Sequence, residues 1–112
     1  MMKDQIWTNN QDIATEATGA GACRKILSYT DELMIVENHF EAGAVGALHS
    51  HPHTQIVYVP RGKFEFTVDG ETRIITEGDS VLVKGNIVHG CACLEAGILL
   101  DIFTPMREDF VK

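Results

Sequence analysis

The stretch HSHPHTQ, residues 49–55, sets three histidines at alternate positions. A strand turns alternate side chains to one face, so His49, His51, His53 and Gln55 would point the same way wherever the segment stays extended. Pro52 restrains His51 to extended conformations. Two neighbouring imidazoles on one face can hold a divalent metal ion, with further ligands drawn from elsewhere in the chain. His89 has a suitable setting, in GDSVLVKGNIVHG (78–90), where a strand and a Lys-Gly-Asn turn precede it. An antiparallel neighbouring strand would bring it beside the first group. His53 reads as solvated or as lying behind the ligands, and His39, in ENHF, as a strand histidine meeting a structural hydrogen bond.

A second stretch, LLDIFTPMRED (99–109), places Asp101, Phe103 and Arg107 at i, i+2 and i+6. One strand face would carry all three, with Leu100, Ile102 and Met106 on the other. An acid within an apolar strand is costly unless it is paired or used. Spacing alone leaves two readings of Asp101 open: a buried ion pair with Arg107 or Arg24, or a proton-transfer group.

Short strands must position these residues. Glycine and Asx punctuation separates RKILSY (24–29), ELMIVENHF (32–40), QIVYV (55–59), KFEFTV (63–68), TRIIT (72–76), SVLV (80–83), HGCACL (89–94) and ILLDIFT (98–104). Many short strands at such spacing indicate an all-β sandwich or barrel. In KFEFTVDGETRII, Phe64, Phe66 and Val68 alternate with polar residues, and Asp69-Gly70 supplies a tight hairpin turn. No segment sustains a helical period. Residues 1–21 read as a mostly irregular arm and 22–112 as the single barrel domain.

At 112 residues the chain is long enough for one core. Nine scattered Lys and Arg stand against sixteen Asp and Glu, a formal net charge of -7, which disfavours nucleic acid as a partner. No stretch has the apolar length of a membrane span or the pattern of a signal peptide. Three cysteines make no paired disulfide framework. Cys23, Cys91 and Cys93 read as structural, and the expected location is the cytoplasm.

Gly46-x2-His49-x-His51-x3-Gln55-x6-Gly62 followed by Gly78-x10-His89 resembles the two-part cupin motif. That resemblance implies a jelly-roll β-barrel with His49, His51, Gln55 and His89 as ligands of one divalent transition metal ion (nickel, zinc, manganese or iron). Gln55 stands where many cupins carry glutamate, and Lys84 where the second motif often has proline. A neutral amide leaves the ion's full charge on the site and favours an anionic ligand.

From about residue 22 to 111 the chain is similar to the KdgF-like small cupins of pectin and alginate breakdown, in which the His-His-Gln-His set is standard. The resemblance implies conversion of 4,5-unsaturated uronate monosaccharides to linear, ketonised 4-deoxy-5-keto-uronates. It also implies functional roles for Asp101 in proton transfer, Arg107 in binding the substrate carboxylate and Phe103 as a wall against the sugar, and a homodimer. Two other readings remain: an iron-dependent cupin dioxygenase using His49, His51 and His89, and a non-catalytic sugar or metal sensor.

Overall fold

A computed structural model describes residues 2–112. Eight strands carry the fold: β1 (Glu16–Gly19), β2 (Ala22–Thr30), β3 (Leu33–Phe40), β4 (Val45–His49), β5 (Thr54–Val68), β6 (Glu71–Thr76), β7 (Ser80–Val83) and β8 (His89–Thr104). All pairings are antiparallel.

The two longest strands belong to both layers. The C-terminal half of β8 pairs with β3 and with the start of β5, which in turn pairs with β7. Together with β1 and β2 these form one layer. The N-terminal half of β8 pairs with β4 and with the end of β5, whose other neighbour is β6. This is the jelly-roll arrangement, with the sheet left open between β1 and β6.

A run of irregular pairings between Tyr58 and Phe64 bends β5 from one layer into the other. Before it the inward residues are odd-numbered (Gln55, Val57, Val59); after it they are even-numbered (Phe64, Phe66). An extra residue in a ladder switches the face that later side chains take. Gly62, at φ 100°, and Gly97 make the crossing: a Cβ on Gly97 would lie 2.1 Å from the Arg61 carbonyl oxygen. Thus QIVYV and KFEFTV are one strand, as are HGCACL and ILLDIFT.

Val57, Val59, Phe64 and Val83 are fully enclosed in the main core, with Phe66, Ile75, Cys93 and Leu99 around them. A smaller cluster holds Ile26, Met34, Val36, Phe103 and Met106. Met106 therefore packs with Phe103, and not with Leu100 and Ile102 as alternation through Pro105 would have it. The strand ends at Thr104, before alternation reaches Met106 or Arg107.

The Asp69-Gly70 hairpin forms as expected, both residues at positive φ and Val68 paired with Glu71. One strand, β1, forms within the stretch expected to be irregular. Residues 4–10 lie along β2, where the Asp4 amide donates to Tyr29 O at 2.9 Å and Thr30 Oγ1 to Asp4 Oδ1 at 2.6 Å. No helix among the described residues is long and apolar enough to cross a membrane.

Candidate metal centre and its cavity

β4 ends on His49 and β8 begins on His89, and the two are register partners. Gly90 permits that approach, since a Cβ there would lie 2.7 Å from Gly46 O. His51 and His53 sit in the connection to β5, outside any strand, so the extended HSHPHTQ face does not form. The connection instead carries His51 back over the first pair. Ligand atoms of His49, His51 and His89 lie within 4.8 Å of one another, and His53 is not part of the group.

All three rings are held the same way. Nδ1 of His49 donates to Ala47 O at 2.8 Å, that of His51 to His53 O at 3.1 Å, and that of His89 to Ile87 O at 2.9 Å. A carbonyl oxygen only accepts, so Nδ1 carries the proton and Nε2 presents its lone pair. Nε2 of His51 and His89 and Oε1 of Gln55 are buried with no hydrogen-bond partner among the described residues. Each such orphan costs about 1–3 kcal/mol. Electron-pair donors without a proton to share call for a cation, and this set could hold a divalent metal ion. Burial pushes the His51 ring down to about 4, helped by the Arg107 charge and opposed by the nearby Gln55 amide. Burial likewise lowers His89. Both rings are neutral at neutral pH, the form a metal binds.

Among the described residues Asp101 forms no ion pair. Its Oδ1 accepts from Gln55 Nε2 at 3.1 Å and its Oδ2 from Asn38 Nδ2 at 2.5 Å. The expected arginine partners are engaged elsewhere, Arg24 by Glu16 and Arg107 by Asp109. Because a carboxylate takes the amide NH2, Gln55 is left with its Oε1 turned away from Asp101 and unpaired. Burial pushes the Asp101 carboxyl up to about 7, against the lowering effects of Arg107 and Gln55. It can therefore give or take a proton near neutral pH.

A cavity of about 170 Å³ joins these groups; its lining includes His49, Gln55, His89, Asp101, Phe103 and Arg107. Phe103 is only 3% exposed and meets His51 edge-on, centroids 5.7 Å apart, so it supports the ligand loop as well as the cavity wall. Cys91 also lines the cavity, but burial pushes its thiol up to about 11, and it lies outside the ligand group. His39 pairs with Glu37 at 2.7 Å, a structural contact.

Three contributors escape a reading of the sequence. Asn38 left a faint signal, a polar residue in phase with the buried Met34 and Val36 of β3. Asp109 and Phe110 left none, because the 3-10 turn at Glu108–Phe110 brings them to Arg107 without any strand or helix period.

The fold and the histidine group are those of a cupin, and the cupin-domain family matches residues 36–103. The chain belongs to that family. It is 45% identical over 98 residues to the pectin degradation protein KdgF of Dickeya dadantii (strain 3937), covering 86% of this chain and 89% of that protein. Among solved structures it is similar to KdgF from Halomonas sp., at 35% identity and TM-score 0.90 over 95% of this chain and 98% of that one. An RmlC-like cupin from Shewanella frigidimarina NCIMB 400 superimposes with TM-score 0.93 at 39% identity, over 98% of this chain and 99% of that one. The protein is a KdgF-like cupin.

Proposed function

We propose that the protein is a metal-dependent enzyme that converts 4,5-unsaturated uronate monosaccharides, left by pectin or alginate lyases, to linear 4-deoxy-5-keto-uronates. The observation that carries this reading is Asp101: a buried carboxyl, able to exchange a proton near neutral pH, in one cavity with the histidine group and Arg107. The KdgF relative's role in pectin degradation supports the same reading.

The reaction is an isomerisation. The hydroxyl on C1 loses its proton, the bond from C1 to the ring oxygen breaks, and C1 becomes an aldehyde. The ring oxygen is left as an enolate on C5; C4 then gains a proton and C5 becomes a ketone. No oxidant and no net water are required.

Arg107 binds the substrate carboxylate, a two-point contact for which the guanidinium fork is suited. Asp101 is the group that moves the proton between oxygen and C4. Phe103 forms part of the wall, and Asn38 and Gln55 hold the carboxyl in place. His49, His51, Gln55 and His89 would hold a divalent ion, which when bound supplies electrophilic stabilisation of the negative charge. The cavity, about 170 Å³, has room for one sugar ring.

The same proposal makes the protein a cytoplasmic homodimer that binds neither nucleic acid nor membrane. Three free cysteines fit that location, and the outward face with Leu33, Ile56, Tyr58 and Leu82 exposed offers an apolar surface for a second copy.

The test is to incubate the metal-loaded protein with unsaturated uronate made by lyase digestion of pectate or alginate, and follow the vinyl proton by NMR. Loss of that signal faster than the spontaneous rate, with an open-chain ketone as product, is expected. Oxygen consumption, or tight binding without turnover, would replace this reading with one of the other two.

A further inference from the structure

We infer that Asp109 and Phe110 are positioning residues that hold the Arg107 guanidinium with one edge open to a ligand carboxylate, an inference resting on the ring-opening reading for the class of ligand. A guanidinium offers two faces and two hydrogen-bonding forks. Asp109 takes the side fork, accepting from Nε at 3.0 Å and from Nη2 at 2.9 Å. The ring of Phe110 takes a face, with Cζ 4.1 Å from its centroid. The end fork, Nη1 with the outer hydrogen of Nη2, has no partner among the described residues, and Arg107 lines the cavity.

The clamp is itself anchored. Phe110 meets Phe103 edge-on at 5.8 Å, and the Arg24 guanidinium sits 3.7 Å from the same ring, held in turn by Glu16. The Arg107 side chain is only 11% exposed, whereas that of Asp109 is 56% exposed. This asymmetry decides the role. The Asp109 charge faces solvent and is screened, so it repels an incoming anion weakly. Its two bonds nevertheless hold a long side chain in one rotamer, and that ordering would otherwise fall to the ligand. Asp109 occupies a different fork from the ligand and need not be displaced.

The experiment compares wild type, Asp109→Asn, Asp109→Glu, Phe110→Leu and, as a neighbouring exposed control, Glu108→Gln. Calorimetry measures binding of D-galacturonate to the metal-loaded proteins, steady-state kinetics uses unsaturated galacturonate, and urea midpoints verify folding. Asp109→Asn and Phe110→Leu are expected to weaken galacturonate binding and raise KM by about three- to tenfold, with kcat within about twofold. Asp109→Glu restores most of the binding, and Glu108→Gln matches wild type. Galacturonate binding by Asp109→Asn as tight as wild type overturns the inference, as does a wild type that does not bind galacturonate. Weakened binding in Asp109→Asn without turnover in any protein supports the clamp and defeats the ring-opening reading. Turnover with KM unchanged in Asp109→Asn does the reverse.

Discussion

Replacing Asp101 by asparagine separates two jobs proposed for one carboxyl. Asp101 accepts two amide donors, Gln55 Nε2 and Asn38 Nδ2, one on each oxygen. An asparagine offers one oxygen and one NH2, so one donor must face another donor. If Gln55 loses, its amide is free to rotate and turn NH2 toward the histidines, and the oxygen that faced them is withdrawn. Removing a partner that orients a metal ligand costs about 10–100-fold in affinity, or about 1.4–2.7 kcal/mol. If Asp101 is the proton carrier, its loss costs a further factor of about 10²–10⁴ in turnover, which excess metal does not restore. Competition against a chromophoric chelator reads the first quantity. Initial rates on unsaturated galacturonate in excess metal read the second. A variant with wild-type metal affinity and wild-type kcat would refute both roles.

Metal-free protein, prepared with EDTA, has opposing titrations. His51 falls from 6.5 to about 4 on folding, so protonation of the unfolded chain lowers stability as pH drops through that window; Asp101 rises from 3.8 to about 7, so stability is lost as pH rises. The two slopes largely cancel in wild type between about pH 4 and 6.5. In Asp101→Asn the His51 slope is unmasked, and urea unfolding should show up to about 3 kcal/mol less stability at the acid end. An equal pH dependence in the two proteins would contradict the assignments. Phe103→Ala should cost about 3–5 kcal/mol in the same assay, because Phe103 is 3% exposed in a packed cluster; an undiminished stability would make Phe103 a surface residue of the cavity only. Cys91, with its thiol near 11, should hold about a hundredfold less thiolate at pH 8 than an ordinary cysteine and alkylate correspondingly slowly, and Cys91→Ala should keep the metal content unchanged.

Much of the candidate site was legible because its residues obey strand and motif spacing. His49, His51, Gln55 and His89 stand at fixed intervals, and Asp101 interrupts an apolar run. The Asp69-Gly70 turn was legible for the same local reason. What bends the strands was not. Gly62 reads as a boundary because a glycine punctuates two strand-like runs, yet the backbone continues through the irregular pairings as β5, and the inward phase changes there from Val57 and Val59 to Phe64 and Phe66. The extended reading of residues 49–55 failed because the layers require a connection between β4 and β5, and His51 reaches the site from that loop. Asn38 lies 63 residues from the carboxyl it serves, and only the β3–β8 pairing brings them together. Nothing in the sequence said that Arg107 would find Asp109 and not Asp101, since that depends on where the chain turns after Pro105.

The proposed ring opening requires a divalent ion held by His49, His51, Gln55 and His89. The most direct test strips the protein with chelator, restores one metal at a time in sub-stoichiometric steps, and follows loss of ene-carboxylate absorbance from unsaturated galacturonate. Activity should rise linearly to a plateau near one ion per chain, and His51→Ala and His89→Ala should stay at the spontaneous rate in the same titration. Full activity in the stripped protein, or no acceleration at the plateau of metal binding, would contradict it.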